Sequence, residues 1–106
     1  MMSSRNISVV RTEIALGAEV PLIARARHVL HLNDMGGWTR AALSLYPHQW
    51  SWDSAFIAIG LAHLDIRRAA QELRTLFAHQ WMTGKVPHIV FNPTAPPDSY
   101  YPGADH

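Results

Sequence analysis

The fold of this chain is most constrained by a nearly continuous apolar run at residues 54–62, SAFIAIGLA. The run predicts a helix without a polar face, and such a helix is buried on every side in the folded protein. Only two amphipathic helices are predicted beside it, which is too few to cover it. We therefore expect an all-α protein in which this helix belongs to a larger helical assembly, with the present chain as its N-terminal part.

The first amphipathic helix is predicted to begin near Glu19, because the proline at position 21 is tolerated in a first helical turn. The sequence NDMGG at residues 33–37 ends it. Its apolar positions recur at helical spacing: Leu22, Ile23, Ala26, Val29 and Leu30. Its polar side carries Arg25, Arg27, His28 and His31.

The second amphipathic helix, third along the chain, is predicted to be capped by Asp65 and stopped by Gly84, which suits a left-handed cap conformation. Its apolar stripe consists of Ile66, Ala69, Ala70, Leu73, Leu76, Phe77, Gln80 and Trp81. Glu72 lies off this stripe with three arginines, so we expect it on a solvated face. The middle, apolar helix is expected to be capped by Ser51 or Asp53, since each offers a side-chain oxygen to free N–H groups.

The 106 residues suffice for one small domain. Residues 1–17 alternate weakly and are interpreted as an N-terminal arm or an edge strand. Residues 18–91 form the helical part. Residues 92–106 form a proline-rich loop of the same domain, since four prolines forbid regular structure there.

Composition narrows the class of protein. A net charge of +1 disfavours a nucleic-acid partner. The chain has no cysteine, which excludes disulfides and thiolate metal sites. No stretch reaches the roughly 20 apolar residues that a membrane span needs, and the N-terminus has no signal-peptide pattern. We expect a soluble, cytoplasmic protein with no membrane partner; a homo-oligomer remains open.

An aromatic cluster carries the strongest chemical signal, in the sequence YPHQWSWD at residues 46–53. Aromatic rings can cover the C–H face of a sugar, and Asp53 can accept hydrogen bonds from its hydroxyls. The alternative is that the rings pack in a core, where Tyr and Trp polar atoms find partners, and that Asp53 caps the following helix. One carboxylate oxygen could also cap while the other faces a ligand.

Other polar residues give weaker signals. His28 and His31 could share a helix face, but no HExxH motif and no suitably spaced acid accompanies them, so no metal or cofactor is predicted. Gln80 on an apolar stripe needs a partner for its amide, which is either a backbone group in the next loop or a ligand hydroxyl. His88 follows a proline in that loop and is a candidate polar group near a pocket.

Four segments in one order resemble the opening of glycoside hydrolase family 63, and within it the bacterial mannosylglycerate and glucosylglycerate hydrolases. They are YPxQWxWDSAF from residue 46, AxELxxLFxxQ from residue 70, GxVPH from residue 84 and YYP from residue 100. Four motifs in order are far more specific than any one of them. The resemblance covers the chain from about residue 20 to its end.

The resemblance implies an (α/α)6 toroid of six helical hairpins, of which this chain holds the first helices, and inverting hydrolysis of a small α-glycoside. By resemblance the sugar subsite is formed by Tyr46, Trp50, Trp52, Asp53, Gln80 and His88, with Tyr100 approaching the glycerate. The family's catalytic aspartic acid and glutamate lie in later hairpins, beyond His106. The chain is therefore expected to bind substrate without a catalytic residue of its own, and to need the remainder of its parent protein.

Two alternatives stay open at the level of sequence. One is a complete, non-catalytic helical module that binds a sugar or a partner helix through Trp38, Trp50 and Trp52. The other is a part of a different toroidal glycosidase, such as a trehalase, which would share the architecture and act on another substrate.

Overall fold

The computed structural model describes residues 19–99. The predictions for the arm at residues 1–17 and for Tyr100 lie outside the described residues. The elements in chain order are α1 (Glu19–Asn33), β1 (Gln49–Trp50), α2 (Ser51–Ala62), α3 (Ile66–Phe77) and β2 (Ile89–Val90). The chain divides into two compact units after His31, and the second of them contains every element from β1 onward.

Helix α1 ends where the sequence predicts. Its C-terminal end at Asn33 is followed by a turn in which Gly36 and Gly37 take φ angles of 89° and 145°. These angles suit glycine, because a Cβ atom disfavours positive φ angles. The Asp34 carboxylate accepts the Gly36 N–H at 2.8 Å and closes the turn.

Helix α2 begins differently from the prediction. Trp50 occupies its N-cap position, and no side chain caps it. The expectation that Ser51 or Asp53 caps this helix is therefore wrong. Instead, the Ser51 N–H donates to the backbone carbonyl of His88 at 2.8 Å. A backbone oxygen from a distant segment thus takes the place of a side-chain cap.

Helix α3 starts as predicted and ends early. The Asp65 carboxylate accepts the N–H groups of Arg67 and Arg68 at 3.0 and 3.3 Å, which confirms the predicted cap. The helix ends at Phe77, so the stripe does not extend along one helix to Trp81. The following turn is closed by the hydrogen bond from the Gly84 N–H to the Trp81 carbonyl.

Helices α2 and α3 pack as an antiparallel pair over a small apolar core of Ala58, Leu61, Ala69 and Leu76. The largest fully buried side chains are polar, and Glu72 is among them with 0% exposure. The prediction that Glu72 lies on a solvated face is therefore wrong. Its charge is tolerated inside because Arg68, one helical turn earlier, lies 3.0 Å away.

A short antiparallel pairing joins β1 and β2, with Gln49 opposite Val90 and Trp50 opposite Ile89. The sequence did not predict it. Apart from these four residues the regular elements are helical, and the all-α class is confirmed. The pairing brings the segment after α3 to the start of α2, and so positions His88 beside Ser51.

Helix α2 keeps part of its apolar surface exposed. Phe56 and Ile59 are 58% and 61% exposed, and an open groove of about 370 Å³ runs between α2 and α3. The groove is lined only by alanine, isoleucine and leucine side chains. The sequence predicts that the other helices of this chain are too few to cover this helix, and within residues 19–99 it is indeed only partly covered. None of the helices described there is long and apolar enough to cross a bilayer.

Candidate functional site

A cleft of about 460 Å³ opens beside the first turn of α2. Its lining consists of Ala41, Ala42, Tyr46, Trp50 and Asp53. Three segments supply these residues: the loop that precedes β1, the strand β1 itself and the start of α2. The volume lies within the range of small-molecule sites, and a mainly apolar wall with one charged group is typical of them.

The aromatic wall of the cleft is formed by Tyr46 and Trp50. Their ring centroids lie 5.5 Å apart at an interplanar angle of 89°, an edge-to-face contact. Such contacts are favoured by the ring quadrupoles and restrict both rings. Tyr46 remains 46% exposed and Trp50 is half-buried. The wall therefore offers apolar ring surface to a ligand without further rearrangement of the chain.

Asp53 supplies the charge of the cleft. It lies in the first turn of α2 and is half-buried, and its carboxylate makes no hydrogen bond within the part of the chain that the structure describes. The free N–H groups of a helix N-terminus favour a negative charge at this place. Since Asp53 does not cap α2, both of its oxygens are available to hydroxyl groups of a ligand.

Three other predicted site residues, Trp52, Gln80 and His88, lie outside the lining of the cleft. Trp52 is 74% exposed and contacts Phe56, with ring centroids 5.1 Å apart. The Gln80 amide donates to the carbonyl oxygen of Gly84 at 2.7 Å, which is the backbone partner that the sequence left as one alternative. His88 has an exposed side chain.

A group of buried polar residues, some of them adjacent in the chain to the residues that line the cleft, was missed by the sequence analysis. Its centre is Glu72, which accepts from the Thr39 N–H at 3.1 Å, the Thr39 hydroxyl at 2.8 Å and the Ser54 hydroxyl at 2.7 Å. The Gln49 amide donates to Ser54 Oγ at 3.0 Å and to the Glu72 carbonyl at 3.2 Å. Gln49 lies within the aromatic cluster and Ser54 directly follows it, yet no pattern in the sequence indicates that Glu72 faces them.

Arg68 balances the charge of this group. Its guanidinium lies 3.0 Å from Glu72 Oε2 and donates to both oxygens of Asp34, at 3.1 and 3.2 Å. Burial alone would lower the pKa of Arg68, but the two carboxylates outweigh burial and hold its pKa above the ordinary value. Partial burial would likewise raise the pKa of Asp34, and the hydrogen bonds from Arg68 and Gly36 lower it instead.

His48 ties the segment after β2 to the aromatic cluster. It is 2% exposed and lies between the rings of Trp50 and Phe91, with centroid distances of 5.5 and 4.6 Å. Its Nδ1 accepts the Asn92 N–H at 3.0 Å, and its Nε2 lies 3.1 Å from Ser99 Oγ. Burial lowers the pKa of His48. Because Nδ1 accepts a hydrogen bond, the neutral ring carries its proton on Nε2. The Nε2–H group donates a hydrogen bond to Ser99 Oγ.

No three histidine, aspartate or glutamate side chains among residues 21–99 are grouped in a way that could hold a metal ion.

Comparison with known proteins identifies the family. Residues 46–105, more than half of the chain, match the family described as the mannosylglycerate hydrolase MGH1-like glycoside hydrolase domain. The chain belongs to this family. The resemblance to glycoside hydrolase family 63 is thereby confirmed, and the matched residues include the whole aromatic cluster with the cleft residues Tyr46, Trp50 and Asp53.

The sequences of individual relatives agree with this family assignment. The chain is 55% identical over 82 residues to a glucosylglycerate hydrolase of Mycolicibacterium hassiacum, a match that covers 77% of this chain and 18% of the relative. It is 52% identical over 83 residues to a mannosylglycerate hydrolase of Rubrobacter radiotolerans, covering 78% and 18%. The chain thus spans about a fifth of the length of the curated relatives that it matches.

A solved structure shares the fold. The family 63 mannosylglycerate hydrolase of Thermus thermophilus, crystallised with Tris and D-glycerate, superposes with a TM-score of 0.73 at 48% sequence identity. The match covers 80% of this chain and 20% of that one.

Proposed function

We propose that this chain forms the sugar-binding part of an inverting glycoside hydrolase that acts on mannosylglycerate or glucosylglycerate. The observation that carries the proposal is Asp53, a carboxylate without a hydrogen-bond partner in the described part of the chain, which lies beside the rings of Tyr46 and Trp50 in one cleft. A pyranose matches this combination, because it has a C–H face for an aromatic ring and hydroxyls that donate to a carboxylate.

The cleft explains binding and not bond cleavage. Inverting hydrolysis requires two carboxyl groups on opposite sides of the glycosidic bond, about 6.5–9.5 Å apart. Asp53 is the only carboxylate among the residues that line this cleft. We infer that the acid and the base are supplied by other helical hairpins of the full-length enzyme, in an (α/α)6 toroid. The uncovered apolar groove between α2 and α3 supports such an arrangement.

The remaining predicted site residues are proposed to join the substrate site in that full-length enzyme. Gln80 can bind a sugar hydroxyl while one of its N–H groups stays on the Gly84 carbonyl, because its Oε1 can accept and its second N–H can donate. Trp52 is exposed and directly precedes Asp53 of the cleft. His88 is exposed and directly precedes β2. For Tyr100 the proposal rests on the family resemblance, which assigns it to the glycerate side.

The names of the relatives support glycerate glycosides as substrates. The two relatives from Mycolicibacterium and Rubrobacter are named glucosylglycerate and mannosylglycerate hydrolases. Mannose and glucose differ in the configuration of one hydroxyl, so a single carboxylate and two rings do not select between them. A trehalase function finds no comparable support among these relatives.

The test combines binding and activity. The 106-residue chain is titrated with mannosylglycerate, glucosylglycerate, D-glycerate and trehalose, while the indole N–H signal of Trp50 is followed by NMR. We expect saturable shifts with the glycerate glycosides and no release of sugar. In parallel, residues 46–99 replace the matched segment of the Rubrobacter enzyme, and this chimera is expected to hydrolyse mannosylglycerate. The proposal would be refuted by a chimera that folds but is inactive, or by a Trp50 indole N–H signal that does not shift on addition of either glycoside.

A further inference from the structure

We propose that Glu72 is the positioning residue of the cleft: one buried carboxylate holds together the three segments that supply the cleft walls. The proposal rests on the proposed function in that it concerns the same cleft. It goes beyond it because Glu72 lies on α3, does not line the cleft and touches no residue assigned to the sugar.

Hydrogen-bond donors from separate segments of the chain converge on Glu72. Thr39, in the loop before β1, donates through both its N–H and its hydroxyl, at 3.1 and 2.8 Å. Ser54, in the first turns of α2, donates its hydroxyl at 2.7 Å. Gln49, in β1, holds Ser54 Oγ at 3.0 Å and approaches Glu72 Oε1 at 3.4 Å. Each of the three wall segments therefore supplies one partner of the same side chain.

These partners of Glu72 are close in the chain to the residues that line the cleft. Trp50 directly follows Gln49, and Asp53 directly precedes Ser54. Every residue of the lining is within three positions of a Glu72 partner. One peptide bond joins Trp50 to Gln49 within the strand and Asp53 to Ser54 within the first turns of the helix, which leaves these two wall residues little freedom for independent movement. A displaced partner therefore displaces the wall residue beside it.

The surroundings of Glu72 require a carboxylate at this position. A carboxylate only accepts hydrogen bonds, on both oxygens, and every group that faces Glu72 is a donor. An amide at this position would turn an NH2 group toward either the Thr39 N–H or the Arg68 guanidinium, neither of which can accept. Buried ion pairs contribute little net stability relative to well-packed apolar residues. A role in fixing geometry explains the arrangement better than a role in stability.

The experiment compares Glu72→Gln with a control of similar helix position and burial, Leu76→Ala. Leu76 is 4% exposed, one turn further along α3, and makes no hydrogen bond to the cleft segments. Both variants are studied as the 106-residue chain in an osmolyte that keeps them folded. The first readout is the indole N–H signal of Trp50 without ligand. The second is the dissociation constant of mannosylglycerate, measured on the folded fraction.

We expect Glu72→Gln to shift the Trp50 signal and to weaken binding on the order of tenfold to a hundredfold, as displacements of about 1 Å do elsewhere. Leu76→Ala should destabilise the chain and leave both readouts at their wild-type values. Equal readouts for the two variants would overturn the proposal, because Glu72 would then serve stability alone.

A second variant, Ser54→Ala, keeps the test decisive if Glu72→Gln does not fold. It removes one hydroxyl from Glu72 and leaves the charge pair with Arg68 intact. A Trp50 signal unchanged by Ser54→Ala would also contradict the proposal. Failure of the proposed function looks different: if the wild-type chain binds no glycoside, the ligand-free Trp50 comparison still decides whether Glu72 positions the wall.

Discussion

His48 accepts the backbone N–H of Asn92 at its Nδ1 atom, at 3.0 Å, and thereby joins the aromatic cluster to the segment that follows β2. The bond exists only while Nδ1 is unprotonated. Since the ring is 2% exposed between two aromatic rings, burial also opposes its protonation and lowers its pKa. The folded chain therefore selects neutral His48.

A pH dependence of stability follows from this selection. In the unfolded chain His48 has an ordinary pKa near 6.5, whereas in the folded chain its pKa is lower. The stabilisation is complete above about pH 6.5 and is lost as the pH falls toward the folded pKa, because the unfolded state binds the proton first. We expect the urea concentration at the midpoint of unfolding to decrease as the pH is lowered from 8 to 5.

His48→Asn isolates this effect, because an asparagine oxygen can accept the Asn92 N–H and does not titrate in this range. The matched control is His63→Gln, at an exposed position. The difference in midpoint between wild type and His48→Asn should change with pH, and that between wild type and His63→Gln should change less. Parallel pH profiles for wild type and His48→Asn would contradict the assignment.

Asp53→Asn is expected to weaken glycoside binding with little effect on folding. The loss of one hydrogen bond to a charged group corresponds to about 1.5–3 kcal/mol, or roughly tenfold to a hundredfold in the dissociation constant. The free energy of unfolding should change by less than about 1 kcal/mol, because only the favourable position at the helix N-terminus is lost. Isothermal titration and urea unfolding measure the two quantities.

Asp98→Asn serves as the control for Asp53, since it removes an exposed carboxylate outside the cleft. It should leave the dissociation constant unchanged. If Asp53→Asn bound mannosylglycerate as tightly as Asp98→Asn does, Asp53 would not contact the sugar.

Asp65→Ala is expected to lower the free energy of unfolding by about 0.5–2 kcal/mol, because the N–H groups of Arg67 and Arg68 lose their acceptor. Asp65→Ser, which restores a capping oxygen, should recover most of the loss. Urea unfolding followed by far-ultraviolet circular dichroism measures both variants. Equal midpoints for the alanine and serine variants would show that the cap contributes nothing.

Gly84→Ala tests the turn that holds Gln80. Gly84 has a φ of 91°, and no atom lies within 4 Å of the position that a Cβ would take. Strain rather than collision should therefore destabilise the variant, by about 1–2 kcal/mol. Gly84→Asn should lose less, since asparagine tolerates this region better than alanine. A Gly84→Ala variant as stable as wild type would argue against this backbone conformation.

The features that the sequence determined by itself are local ones. The end of α1, the Asp65 cap and the glycine turn depend on interactions between residues a few positions apart, so the pattern of a short window contains them. The aromatic motif likewise indicated Tyr46, Trp50 and Asp53 together, and these three do line one cleft. The order of four motifs indicated the family.

Tertiary structure alone decided the rest. Glu72 belongs to a charged stretch that looks solvated, and its hydrogen-bond donors come from Thr39 and Ser54, 33 and 18 positions away. The carbonyl that meets the first N–H of α2 comes from His88, so Asp53 is free of a capping role. A short window of sequence shows which residues can donate or accept, but it does not show which of them pair. Hydrogen bonds between distant segments depend on how the chain folds back on itself.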